Sequence, residues 1–185
     1  MNSFYSEDEL KEIGFSEIGT DVKISRKASI YGAQNMRIGN HVRIDDFCIL
    51  SGKIIMGSYI HISAYASIFA GDTGVFLDDF VGISSRTAVY AETDDYSGLA
   101  MTNPMIPNEF RNIICSKVVL EKHTIVGTGC TILPGVVMHE GTSVGAMSLI
   151  NQSTEAWKMY AGIPAREIKE RKKDLLKFEK NLLNN

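Results

Sequence analysis

Cysteine is scarce in this chain, and its scarcity removes a class of proteins. The three cysteines, Cys48, Cys115 and Cys130, are too few and too irregularly placed for a disulfide framework or a zinc cage. Basic residues are in no excess: 19 Lys and Arg stand against 22 Asp and Glu, for a net charge of −3. No global basic surface exists to draw in nucleic acid, so none is expected as a partner. No apolar run approaches the roughly 20 residues that cross a bilayer, so no membrane insertion is expected. The opening MNSFYSEDELKEIGF lacks both the basic and the apolar segments of a secretory signal. Disorder is excluded by composition, since 44% of residues are hydrophobic and 22% charged. The expectation is a soluble, cytoplasmic protein with a single domain over residues 1–185.

What the chain has in abundance is a repeat. Counting by six from Leu120 gives Val126, Ile132, Met138, Val144 and Ile150, an unbroken aliphatic column. The same column runs upstream through Ile18, Ile24 and Ile30, then from Ile38 through Ile44, Leu50, Met56 and Ile62 to Ile68, and then through Leu77, Ile83 and Val89. A period of six matches neither the roughly 2 of a strand nor the 3.6 of a helix. It predicts a β-solenoid in which every column residue points inward and coils stack through parallel backbone pairing. Eighteen repeats make about six triangular coils over residues 16–156. Position four further on is small or β-branched, so Cys48 and Cys130 read as core fillers. Gly127 and Gly145, directly after column residues, read as turns that exclude a Cβ.

Helices are expected at both ends. Ser6 and Glu9 form a capping box before Leu10, placing a short helix within residues 1–15. Ile168, Leu175 and Leu182 recur every seven residues, placing a second helix over 164–183 that caps the exposed end of the stack. Residues 166–185 carry seven Lys or Arg against four Asp or Glu, which fits a solvated face and an anion-binding role equally. Between Val89 and Leu120 the column is missing for 30 residues. A long loop in a compact array is usually functional, which singles out 92–117.

The repeat, the run TILPGV at 131–136 and the closing AGIPAREIKER at 161–171 resemble the hexapeptide-repeat acyltransferases, an all-β family built on a left-handed parallel β-helix. Narrower segments, DDYSGLAMTNPM at 94–105 and EKHTIVGTGCTILPGV at 121–136, are similar to the enzymes that acetylate dTDP-4-amino-4,6-dideoxyglucose for surface polysaccharides such as O-antigen. The resemblance implies acetyl-CoA as co-substrate, no metal, a nucleotide-linked amino sugar as acceptor, and a homotrimer with its donor groove between subunits.

Many galactoside- and maltose-type members carry a histidine just after the interrupted column. Here the aligned stretch reads AETD, so Asp94 stands in that place. The catalytic candidates are therefore Asp94, with its neighbour Asp95 able to raise a carboxyl pKa, and His123, the one histidine close after the loop. Asp95, Tyr96 and Asn103 are candidate contacts to the sugar or its nucleotide. For the donor, the candidates are Gly127, Gly129 and Gly145, where the pantetheine arm would approach the backbone, and Pro164, Arg166, Lys169 and Arg171 in or after the GIPAR run. The missing histidine favours an amine over an alcohol nucleophile, because an alcohol needs a stronger base. O-acetylation of a galactoside or polysaccharide hydroxyl is the alternative. A zinc hydratase would need three converging imidazoles, and His41, His61, His123 and His139 fall at differing hexad phases. A non-catalytic scaffold would lack both the loop and the GIPAR signature.

Overall fold

The computed structural model describes residues 3–184. Three parallel sheets form the faces of a triangular prism, a left-handed parallel β-helix. The first face stacks strands from Glu17–Ile18 to Val137–Met138, the second from Lys23–Ile24 to Lys158–Gly162, and the third from Ser29–Tyr31 to Leu149–Ile150. Six coils are complete, and Lys158–Gly162 adds one strand of a seventh.

The registers reproduce the column read from the sequence. Ile18 pairs with Ile38, Ile38 with Met56, Met56 with Leu77, Leu77 with Leu120 and Leu120 with Met138. Ile44 to Ile62 to Ile83 to Val126 continues the second face, and Leu50 to Ile68 to Val89 to Ile132 the third. Most of these side chains are fully buried, each contributing on the order of 1.5–3 kcal/mol of hydrophobic stabilisation. Cys48 and Cys130 are buried among them, and burial pushes the Cys48 thiol up to about 11, so it is an inert filler.

The corners show how the turns hold at positions that are not glycine. At one corner, where only Gly141, between His123 and Trp157, lacks a side chain, Asp21, His41, Tyr59, Phe80, His123 and Trp157 all adopt left-handed backbone, with φ between 51° and 62°. That conformation is strained for residues with a Cβ. Their rings stack in compensation: His41 on Tyr59 at 4.7 Å, Tyr59 on Phe80 at 4.9 Å and Phe80 on His123 at 5.0 Å. Gly127 and Gly145, by contrast, are not at left-handed turns. A Cβ on Gly127 would fall 2.6 Å from the Ala146 amide nitrogen, and one on Gly145 would fall 3.1 Å from the Ala161 Cβ. Close approach of the next coil, not turning, selects glycine there.

At the N-terminal end, α1 (Glu7–Ile13) carries the expected capping box and buries Leu10. The C-terminal end differs from expectation. Residues 165–170 form an antiparallel strand against Lys158–Gly162, and α2 covers only Leu175–Leu183. The turn at Ile163 and Pro164 folds the chain back onto the last coil, whose unpaired edge takes up backbone hydrogen bonds that a helix could not offer. The seven-residue spacing of Ile168, Leu175 and Leu182 thus spans two kinds of element.

The interrupted column leaves the third face as an excursion. Its neck is a pair of antiparallel strands, Glu92–Thr93 with Ile114–Cys115, and a short 3-10 turn at Asn108–Phe110 lies near its far end.

Candidate active site at the loop neck

The neck holds a pocket of about 350 Å³ lined by Phe69, Tyr90, Glu92, Asp94, Tyr96 and Arg111, among others. Alternation places Phe69 and Tyr90 outward on the third face, where their rings stack at 5.2 Å. Neck pairing brings Asp94 and Arg111 together although 17 residues separate them. Arg111 Nη2 donates to Asp94 Oδ1 at 3.0 Å, and the Asn103 backbone N–H donates to Asp94 Oδ2 at 3.3 Å. The Asp94 side chain is 29% exposed, so it is oriented and still reachable.

Asp95 does not serve Asp94 as a like-charge neighbour. It is buried, and its Oδ1 accepts the Ser97 backbone N–H at 2.7 Å. Hydrogen bonding to Ser97 holds its carboxyl below the usual range, the reverse of the raised pKa expected from the sequence. Tyr96 lines the pocket and is 91% exposed. Asn103 is a turn former: its backbone is left-handed, and its side-chain oxygen accepts the Met105 N–H at 3.0 Å.

His123 is not brought to Asp94 within the chain. It is a rung of the corner ladder, only 6% exposed, and lines a separate groove beneath α2. Its Nε2 lies 2.8 Å from Glu179 Oε2, and Lys122 pairs with the other oxygen of that carboxylate. The Phe80 and Trp157 rings flank it, and its contact with Glu179 ties α2 to the corner. Each remaining histidine also meets a carboxylate: His41 with Asp21, His61 with Asp45 and His139 with Glu121. Among the described residues, no group of three His, Cys, Asp or Glu could hold a metal.

The donor candidates divide. The backbone N–H groups of Gly127, Gly129 and Gly145 donate to Val144, Ser85 and Tyr160 carbonyls, so they are unavailable to pantetheine amides. Arg171 is committed to the fold: its Nη1 donates to the carbonyls of His123 at 2.7 Å and Gly141 at 2.9 Å. Pro164 sits in the hairpin turn. Arg166 and Lys169 are exposed on the returning strand with no carboxylate partner among the described residues, and Arg166 borders a small cleft with Asn151, Gln152 and Tyr160. Sequence reasoning missed Arg111 and Glu92. The signal for Arg111 was present, since it is the lone cation between residues 92 and 116.

No family model matches the chain. A curated relative, dTDP-4-amino-4,6-dideoxy-D-glucose acyltransferase from Escherichia coli, is 46% identical over 180 residues, covering 96% of this chain and 93% of the relative. Among solved structures, AntD, an N-acyltransferase from Bacillus cereus in complex with dTDP and 3-hydroxybutyryl-CoA, superposes with a TM-score of 0.98 at 52% identity, covering 100% of this chain and 98% of AntD. AntD is also known with Ser84 or Asp94 substituted, in its own numbering, bound to Coenzyme A with dTDP or with dTDP-4-amino-4,6-dideoxyglucose. A hexapeptide-repeat acetyltransferase from Vibrio cholerae, 19% identical with a TM-score of 0.61 over 90% of this chain and 80% of its own, shares the fold. On the first of these identities, over nearly the whole of both chains, this chain belongs to the dTDP-4-amino-4,6-dideoxyglucose acyltransferase family.

Proposed function

We propose that this protein transfers the acetyl group of acetyl-CoA to the 4-amino group of dTDP-4-amino-4,6-dideoxyglucose, with Asp94 as proton acceptor. The observation that carries the reading is the oriented, reachable Asp94 carboxylate at the loop neck, which stands where many galactoside- and maltose-type members carry a histidine. This chain also has serine and aspartate at 84 and 94, the two numbers substituted in AntD. Ser84 follows the second-face strand Gly82–Ile83, and nothing in the sequence pattern had marked it.

The chemistry follows from the residues. The substrate ammonium loses one proton, and Asp94 accepts it directly or through a water. The neutral nitrogen attacks the thioester carbonyl to give a tetrahedral intermediate, the nitrogen gives up a second proton, and the C–S bond breaks as the departing sulfur takes up that proton. The products are an amide and free Coenzyme A. Arg111 holds the Asp94 carboxylate in place, which makes it a positioning residue. Arg166, with Lys169 near it, is the cation we assign to a phosphate of the donor; its exposure without a carboxylate partner among the described residues supports this.

The reading extends to a homotrimer acting in the cytoplasm, in the synthesis of lipopolysaccharide. The loop displays Leu99 and Met105 at 90% and 88% exposure, apolar surface of the kind a neighbouring subunit covers. The test is thiol release with dTDP-4-amino-4,6-dideoxyglucose, comparing acetyl-CoA and 3-hydroxybutyryl-CoA. Turnover with acetyl-CoA and formation of the 4-amide support it; no turnover with either donor refutes it. Light scattering that gave a single chain of 20.4 kDa would exclude the trimer.

A further inference from the structure

The loop pocket contains a second carboxylate that the reaction scheme leaves unused. Glu92 stands on the neck two residues before Asp94 and lines the same cavity. Arg111 balances Asp94, whereas the exposed side chain of Glu92 has no hydrogen-bond or ion-pair partner among the described residues. Its position is made by the fold. The Glu92 carboxylate lies over Gly71, whose φ is 50° and where a Cβ would overlap it. Beside it the stacked Phe69 and Tyr90 rings form an apolar wall.

The charge of the pocket follows from Glu92, Asp94 and Arg111: two negative and one positive, leaving one unbalanced negative charge. A diphosphate is repelled by that balance. A ring bearing an ammonium group and apolar carbons matches both the charge and the wall.

We propose that Glu92 is a specificity-determining residue, accepting hydrogen bonds from the ammonium of the incoming amino sugar while Phe69 and Tyr90 face the sugar's apolar carbons. The proposal rests on the amino-sugar reading above and adds to it which group selects nitrogen over oxygen at the reacting carbon. A sugar with a hydroxyl there offers Glu92 one neutral O–H donor and no charge, so the contact is weaker and the negative charge stays unbalanced. Charge-assisted hydrogen bonds of this kind change affinity by roughly ten- to a hundredfold.

The test compares the dTDP-linked amino sugar with its analogue carrying a hydroxyl in place of the amine. Calorimetry measures the binding of each to the wild type, to Glu92→Gln and to Glu92→Asp, and steady-state kinetics follow in parallel. The expected result is a ten- to hundredfold preference for the amine in the wild type, lost in Glu92→Gln and partly restored in Glu92→Asp. The KM for acyl-CoA should stay unchanged in all three, which a general structural defect would not allow. Wild-type turnover of the amine with the full preference retained in Glu92→Gln overturns the role of Glu92 alone. A wild type that neither binds nor turns over the amine overturns the parent reading, and this one with it.

Discussion

Asp94→Asn and His123→Asn should separate cleanly, because the fold gives the two residues different work. Asparagine at 94 keeps one oxygen, which can serve the Arg111 Nη2 contact, and gives up the longer 3.3 Å bond from the Asn103 N–H, so the neck should hold at a cost of about 1 kcal/mol. It cannot accept a proton, and kcat/KM should fall by roughly 10²–10⁴ with the melting temperature nearly constant. At His123 the loss should be structural. The ring stacks on Phe80 at 5.0 Å, worth about 0.5–1.5 kcal/mol, and bonds Glu179 at 2.8 Å, worth about 1.5–3 kcal/mol for a charged partner. Asparagine loses the stack and part of the bond, so α2 should detach by about 1–3 kcal/mol while kcat/KM changes less than tenfold. The assay is initial-rate kinetics with the amino-sugar nucleotide, paired with hydrogen exchange across residues 175–183. A hundredfold loss of kcat/KM in His123→Asn with α2 still protected would refute this division of labour.

Acid should release the same helix. Lys122 first, then His123, hold the Glu179 carboxyl below the usual range of a glutamate, so this docking energy is fully present above that range and is lost as pH falls through the lowered value. Hydrogen exchange of residues 175–183, measured across pH 3–6 and corrected for the intrinsic rate at each pH, should show lost protection only at the acid end; a flat profile would contradict the linkage. Gly127→Ala should destabilise by about 1–3 kcal/mol, since the new Cβ meets backbone rather than a movable side chain, and an unchanged melting temperature would disprove the packing argument. Arg166→Ala should weaken acetyl-CoA binding by about tenfold or more and leave the stability intact, whereas Arg171→Ala should lower the melting temperature through loss of its carbonyl contacts. Calorimetric titration beside thermal melts would show a mistaken assignment if the two effects came out exchanged.

The solenoid was legible in the sequence because its rule is local. Six residues carry one face of a coil, so Ile44, Ile62 and Ile83 announce their shared column without knowledge of the rest of the chain. The loop was legible for the same reason, as a gap in a period, and Asp94 stood out as the residue in a histidine's place. Local periodicity does not say which side chains meet across coils. Arg111 reaches Asp94 only because Glu92–Thr93 pairs with Ile114–Cys115. Nor does local periodicity say what His123 meets: a left-handed corner sets its ring on Phe80, and Glu179 comes to it from 56 residues away. The basic tail divided in the same manner. Arg171 turned inward onto carbonyl groups, where burial lowers its pKa, while Arg166 remained outside on the returning strand. The sequence by itself determined the repeat, the interruption and the chemistry available to each residue, since these depend on neighbours along the chain. Only the tertiary structure decided which charges are balanced and which remain open to a substrate, because that depends on contacts between segments that no local period specifies.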